Sequence, residues 1–197
     1  MDYPTLYLLA QLLANTTGNL DQLPDSWAQA DHYYRPQNGT EMNVYTNGDG
    51  QAVLAIRGAN QVRDILYAPW KRLFGYSDAD LDYARQVAAQ YPDLQIIGHS
   101  AGGGLASWLG NQLGLPTVTF NAGRPPAAVE GTGANQTNVA INGDIWGDPQ
   151  HVREGGVLGG PLPGNYVYLN APDGVSGLRL HRMPTILDAL QAAIGGQ

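Results

Sequence analysis

The stretch LQIIGHSAGGGLASWLG, Leu94–Gly110, changes from a strand pattern to a helix pattern around one serine. Mostly apolar residues lead into Gly98, Ser100 follows two positions later, and three consecutive glycines come after Ala101. Glycine in the middle of a helix or strand costs about 0.5–1 kcal/mol relative to alanine. The glycine cluster therefore indicates a tight turn between two elements, with Ser100 inside that turn.

Residues Gly98–Gly102 fit the pattern G-x-S-x-G, which is called the nucleophile elbow. The serine of an elbow has strained backbone geometry, so its neighbours must be small. The N-terminus of the following helix then points at the reacting carbonyl. A chance match is expected only roughly 0.09 times in a chain of this glycine and serine content. The pattern therefore predicts that Ser100 is a nucleophile.

The segments around the elbow alternate between short apolar strands and amphipathic helices. A hairpin with its turn at Asn47–Gly50 precedes them. Such alternation predicts an α/β fold in which a central, mostly parallel sheet has helices on both faces. The predicted helices are Tyr3–Asn15, a segment after Ser77, Leu105–Leu113 and the final MPTILDALQAAI; the predicted strands are Leu94–Gly98, Thr117–Phe120, Asn138–Ile141 and Tyr166–Leu169.

Composition restricts the partners and the location of the protein. The net charge is −7, and the basic stripe that nucleic-acid binding requires is missing, so we expect no nucleic-acid partner. Absence of cysteine excludes disulfides, thiolate metal sites and a cysteine nucleophile. The apolar run Leu6–Leu13 lacks a basic flank and is too short to span a bilayer. We therefore expect one domain, residues 1–197, that is cytoplasmic or exported by a signal-independent route.

A serine nucleophile needs a base, which follows both the serine and the acid in the chain order of α/β-hydrolases. Two histidines follow Ser100, namely His151 and His181. His181 precedes the final helix, on a loop that can reach the carboxyl edge of the sheet. His151 follows the candidate acids by only a few residues, so little chain is available to bring it back over the serine. The order therefore favours His181 as the base.

The acid is expected just beyond the strand that precedes NGDIWGDP, because catalytic groups gather at the carboxyl ends of parallel strands. Asp144 stands at that place and is the first candidate. Asp148 is the runner-up and Asp173 the third candidate. A turn-forming role beside glycine and proline is the alternative for both Asp144 and Asp148.

Several motifs together resemble the class 3 lipases, which are α/β-hydrolases that act on acylglycerols and phospholipids. The motifs are VLAIRGANQVRDI for the strand ending in Arg-Gly, GHSAGG for the elbow, the looser VTFNAGRPP for the strand ending in Phe-Gly-x-Pro-Arg, INGDIWGDP for the acid turn, and HRMPTILDAL for the final histidine and helix. The resemblance implies that Ser100 is the nucleophile, Asp144 the acid and His181 the base.

The resemblance also implies an oxyanion hole made by the amides of Ala101 and Ala59. Family members usually have a hydroxyl residue after Arg-Gly, whereas this chain has Ala59, with Asn60 as a substitute donor. A lid helix follows that strand in the family, so Trp70 and Phe74 are expected in a lid. The alternative is a helix packed on the sheet.

These observations predict a serine hydrolase that cleaves carboxylic esters of lipids or phospholipids through an acyl-enzyme. It would act on a lipid or ester substrate, including one at a membrane surface, and would need no metal or organic cofactor. One alternative is an esterase for a small soluble ester or a polyester. Another is a non-catalytic binding protein that keeps the hydrolase fold.

Overall fold

A computed structural model describes residues 1–36, 39–57, 77–123, 132–148 and 162–196. Four α-helices and seven β-strands lie within these residues. They are α1 (Tyr3–Thr16), β1 (Trp27–Arg35), β2 (Thr40–Asn47), β3 (Ala52–Ile56), α2 (Asp78–Gln90), β4 (Gln95–His99), α3 (Ser100–Leu113), β5 (Thr117–Phe120), β6 (Gln136–Ile141), β7 (Asn165–Leu169) and α4 (Met183–Gly195).

The seven strands form one sheet in which the spatial order follows the chain order, β1 to β7. The pairs β1–β2 and β2–β3 are antiparallel, and every pair from β3 to β7 is parallel. The predicted mostly parallel sheet is therefore confirmed, and so is the hairpin at Asn47–Gly50. Strand β1 was not predicted, because its residues are mostly exposed and carry no apolar alternation.

Helices cover both faces of the sheet, as the sequence predicts. On one face α1 and α4 pack together, and Leu6 and Ile186 join the sheet residue Phe120 in one apolar core. On the other face α2 and α3 bury a second core that includes Leu54 and Leu109. None of the described helices combines the length and the apolar character needed to cross a bilayer.

This topology places the carboxyl ends of the parallel strands at one edge of the sheet. Ser100 follows β4, Asn121 follows β5, and Asp144 follows β6 by three residues. The chain leaving β7 passes through a 3₁₀ turn, Gly177–Arg179, and reaches His181 just before α4. Residues far apart in the chain therefore meet at this edge.

Candidate active site

Ser100 begins helix α3 with a backbone φ of +56°, in the left-handed region that residues with a side chain rarely adopt. Its neighbours Gly98 and Gly102 cannot carry a side chain. A Cβ on Gly98 would lie 2.3 Å from the carbonyl oxygen of Gly102, and one on Gly102 would lie 2.5 Å from the carbonyl oxygens of Ile56 and Arg57. The glycines therefore permit the strained turn that holds Ser100 at the edge of the sheet.

Ser100, His181 and Asp144 form a continuous hydrogen-bonded chain. The Oγ of Ser100 lies 2.7 Å from Nε2 of His181, and Nδ1 of His181 lies 3.0 Å from Oδ2 of Asp144. A carboxylate can only accept, so Nδ1 carries the proton and donates a hydrogen bond to Asp144. In the neutral ring Nε2 is then an acceptor directed at the Ser100 hydroxyl.

The turn after β6 prepares Asp144 to stay ionised. Its Oδ1 accepts hydrogen bonds from the backbone N–H groups of Trp146 and Gly147, at 3.0 and 2.6 Å. Burial alone raises the pKa of the fully buried Asp144 carboxyl, but the attraction of His181 and these hydrogen bonds outweigh burial and lower the pKa below its ordinary value. An anionic partner for the His181 ring is therefore present at neutral pH.

The two other acid candidates are placed differently. Oδ2 of Asp148 accepts a hydrogen bond from the backbone N–H of Gly143 at 2.8 Å, which closes the turn that carries Asp144. Asp173 is exposed in the loop after β7. His151, the alternative base, lies outside the described residues.

The predicted oxyanion hole is described at one of its two positions. Ala101 is the second residue of α3, where backbone N–H groups have no partner within the helix. Ala59 lies outside the described residues, as do Trp70 and Phe74 of the predicted lid. The chain leading toward Ala59 is held at Arg57, whose guanidinium pairs with the Glu41 carboxylate and whose backbone N–H donates to the Glu41 carbonyl at 2.9 Å.

Three further residues contact His181 or the loop that carries it, and none of them was singled out from the sequence. Nε2 of His99 lies 2.7 Å from the carbonyl oxygen of His181, to which it donates. The Trp146 ring lies against the His181 ring at 4.4 Å between centroids. Asn121 donates from Nδ2 to the Leu180 carbonyl at 2.9 Å. In the sequence, Asn121 is a polar residue directly after the apolar strand segment VTF. Because asparagine tolerates positive φ, this position was the signal that could have pointed to it.

Burial lowers the pKa of the His99 imidazole to about 3, and the neighbouring His181 ring lowers it further, so His99 is neutral at physiological pH. Chemically, the group combines a strained hydroxyl, an imidazole nitrogen placed to accept from it and a buried carboxylate, the set used for acyl transfer. Within the described parts of the chain, His, Asp and Glu side chains form no cluster of three or more that could hold a metal ion.

Several solved structures with a similar fold are described as lipases. The crystal structure of a triacylglycerol lipase from Penicillium expansum matches with a TM-score of 0.53 and 16% identity, covering 91% of this chain and 81% of that one. Rhizomucor miehei lipase in its propeptide complex matches with a TM-score of 0.59 and 15% identity, covering 94% and 75%. The α/β-hydrolase fold and the resemblance to class 3 lipases are therefore confirmed at the level of the fold.

Similarity in sequence is confined to part of the chain. An extracellular phospholipase A1 from Serratia liquefaciens is 39% identical over 90 residues, which are 43% of this chain and 28% of that protein. A protein named lipase ATG15 from Lodderomyces elongisporus is 44% identical over 64 residues, 30% of this chain and 12% of that protein. The chain thus covers less than a third of either relative's length. No family model matches it.

Proposed function

We propose that this chain is a serine hydrolase that cleaves carboxylic ester bonds of lipids or phospholipids. The observation that carries the proposal is the connection of Ser100 Oγ to His181 Nε2 at 2.7 Å, with His181 Nδ1 held by Asp144. Nucleophile, base and acid follow the roles of the serine hydrolase triad.

In the first half-reaction, Ser100 Oγ attacks the ester carbonyl carbon while His181 Nε2 takes the hydroxyl proton. The tetrahedral intermediate collapses, the bond to the alcohol oxygen breaks, and the proton on Nε2 passes to the leaving alcohol. In the second half-reaction, water gives a proton to Nε2 and adds to the acyl carbon. The bond between that carbon and Ser100 Oγ then breaks, the proton on Nε2 returns to Oγ, and the carboxylic acid is released. Asp144 remains ionised throughout and stabilises the imidazolium.

The negative oxygen of each intermediate would be held by the backbone N–H of Ala101 and that of Ala59. One such donor is worth about 2.7–4 kcal/mol of transition-state stabilisation. Ala59 has no hydroxyl to add a further donor, so we expect a slower enzyme than one with serine or threonine at this position.

The lipid substrate class is supported by the names of the similar proteins, lipase and phospholipase A1. A structural neighbour is described as a fungal lipase–inhibitor complex that models interfacial activation. By analogy we propose a lipid surface as the place where this protein meets its substrate.

A fluorophosphonate probe tests the chemistry, because it reacts only with an activated serine. We expect the wild-type chain and Ser107→Ala to be labelled, and Ser100→Ala to remain unlabelled. Ser107 is the matched control, since it is a buried serine of the same helix whose Oγ bonds Gln136 instead of a histidine.

A series of esters of increasing acyl length, followed by phospholipid vesicles, then tests the substrate class. Faster hydrolysis of long-chain esters and vesicles is the expected result. A preference for short soluble esters would favour the alternative esterase function. If the wild-type chain is not labelled by the probe, the proposed hydrolase activity is contradicted. The alternative of a non-catalytic binding protein then remains.

A further inference from the structure

The loop that carries His181 has three successive backbone carbonyls, each accepting a hydrogen bond from a different side chain. The Arg179 carbonyl accepts from Thr185 Oγ1 at 2.8 Å, the Leu180 carbonyl from Asn121 Nδ2 at 2.9 Å, and the His181 carbonyl from His99 Nε2 at 2.7 Å. Buried carbonyls need such partners. Side chains from three elements therefore fix the path of this loop.

Asn121 makes the most extensive of these connections. It is fully buried, directly after β5, with a backbone φ of +42°. Its Oδ1 accepts from the backbone N–H of Ile141 at 2.9 Å, while Nδ2 donates to the Leu180 carbonyl. A donor on one side and an acceptor on the other allow only this orientation of the amide.

Asn121 is linked, directly or through a residue close to it in the chain, to the backbone at or near each of the three members of the candidate triad. Ile141 is the last residue of β6 and precedes the turn with Asp144, while Leu180 is bonded to His181. Two residues beyond Asn121, the backbone N–H of Gly123 donates to the Ser100 carbonyl at 3.1 Å. The glycine that the class 3 pattern has after phenylalanine could not form the side-chain bridge.

We propose that Asn121 is a positioning residue that sets the His181 ring relative to Asp144 and Ser100 by tying the histidine loop to the end of β6. This inference rests on the proposed function. It assigns to the amide a role in geometry, not a contact with substrate.

The test compares Asn121→Asp with Asn138→Asp. Aspartate at 121 keeps the volume and the acceptor for Ile141 but loses the donor to Leu180. Displacing catalytic groups by about 1 Å can cost 100-fold in rate. We therefore expect kcat to fall by about 10- to 100-fold with KM changed less than about twofold. The far-downfield proton resonance of His181 Nδ1–H should also weaken or shift.

Asn138 is the matched control, a buried asparagine of β6 whose Nδ2 donates to the Pro163 carbonyl at 3.0 Å and whose Oδ1 accepts from Thr119 and Gln136. Asn138→Asp loses an equivalent donor without touching the histidine loop. It should lower the free energy of unfolding but leave kcat and the His181 resonance unchanged.

If Asn121→Asp does not fold, Asn121→Gly takes its place. Glycine removes the acceptor for Ile141 as well as the donor to Leu180, and it adopts a φ of +42° without strain. Unchanged kcat and resonance in the folded Asn121 variant would overturn the proposal, and so would equal effects in Asn138→Asp. Because the resonance is read without substrate, this result stands apart from a failure of ester hydrolysis in the wild type.

Discussion

At the scale of single residues, Asp144 and Asp148 differ in the groups that their carboxylates contact. Asp144 contacts the His181 ring, while Asp148 accepts from a backbone N–H in the same turn. Replacing the triad acid by its amide removes the charge that orients the imidazole, and the rate falls roughly 10⁴-fold in a comparable triad. We expect a kcat loss of that order for Asp144→Asn, measured as ester hydrolysis.

The control for this prediction is Asp148→Asn. Its Oδ1 can still accept from Gly143, so the loss of kcat should stay below about tenfold. A larger loss of kcat in Asp148→Asn than in Asp144→Asn would mean that Asp148 is the acid of the triad.

Residue types and order were enough to predict Ser100, Asp144 and His181 as candidates, and the structure brings them together. The supporting residues were not predictable in the same way. His99 precedes the serine and therefore does not qualify as the base by chain order, yet its ring reaches the His181 carbonyl. Asn121 stands in the looser motif VTFNAGRPP, but that motif gives asparagine no role, and its bridge reaches the Leu180 carbonyl 59 residues further along the chain. Such contacts depend on packing, which one-dimensional spacing does not record.

At the scale of elements, the end of β3 rests against the first turn of α3 at Gly102. A Cβ there would lie 2.5 Å from two carbonyl oxygens of the β3 end, closer than real contacts allow. For Gly102→Ala the strand end must move, and with it the chain that leads to Ala59. We expect about 1–3 kcal/mol lower free energy of unfolding and a kcat reduced about 100-fold.

Denaturant unfolding and ester hydrolysis measure these two effects, with Gly48→Ala as the control. A Cβ on Gly48 would meet no heavy atom within 4 Å. That variant should stay within about 0.5 kcal/mol of wild type and keep its activity. Wild-type kcat in Gly102→Ala would show that the strand end does not position catalytic groups.

Periodicity predicted the buried elements well, apart from the start of α3, and the exposed edge poorly. Helix α3 begins at Ser100 and not at the predicted Leu105, because the glycines 102–104 form its close-packed first turn. Helix α2 begins after the N-cap Ser77, as expected, and β5 has the predicted bounds Thr117–Phe120. Strand β1 pairs with β2 through its backbone while most of its side chains face solvent. Backbone pairing leaves no hydrophobic pattern, so this edge strand could not be found from apolar spacing.

At the scale of the whole molecule, acid should destabilise the fold through His99. Its pKa is about 3 in the fold against an ordinary value near 6.5, so between these values the unfolded chain binds a proton that the folded chain refuses. Stability is fully present above pH 6.5 and falls with decreasing pH by up to about 1.4 kcal/mol per pH unit. The pKa of Asp144 is lowered in the fold, so this group reduces the free energy of unfolding only when the pH falls below about 3.8.

Asp80 acts in the opposite direction, because burial raises the pKa of its carboxyl despite the neighbouring Arg35, and stability from this group increases as the pH falls. Comparing wild type with His99→Gln isolates His99, since Asp80, Asp144 and His181 are present in both chains and a glutamine amide can still donate to the His181 carbonyl. The free energy of unfolding is to be measured in urea at pH 7.5, 6.0 and 4.5. Over this range the wild-type value should fall by about 2–3 kcal/mol more than the value of His99→Gln. Equal slopes in the two proteins would mean that the His99 ring is hydrated enough to take up its proton in the folded state.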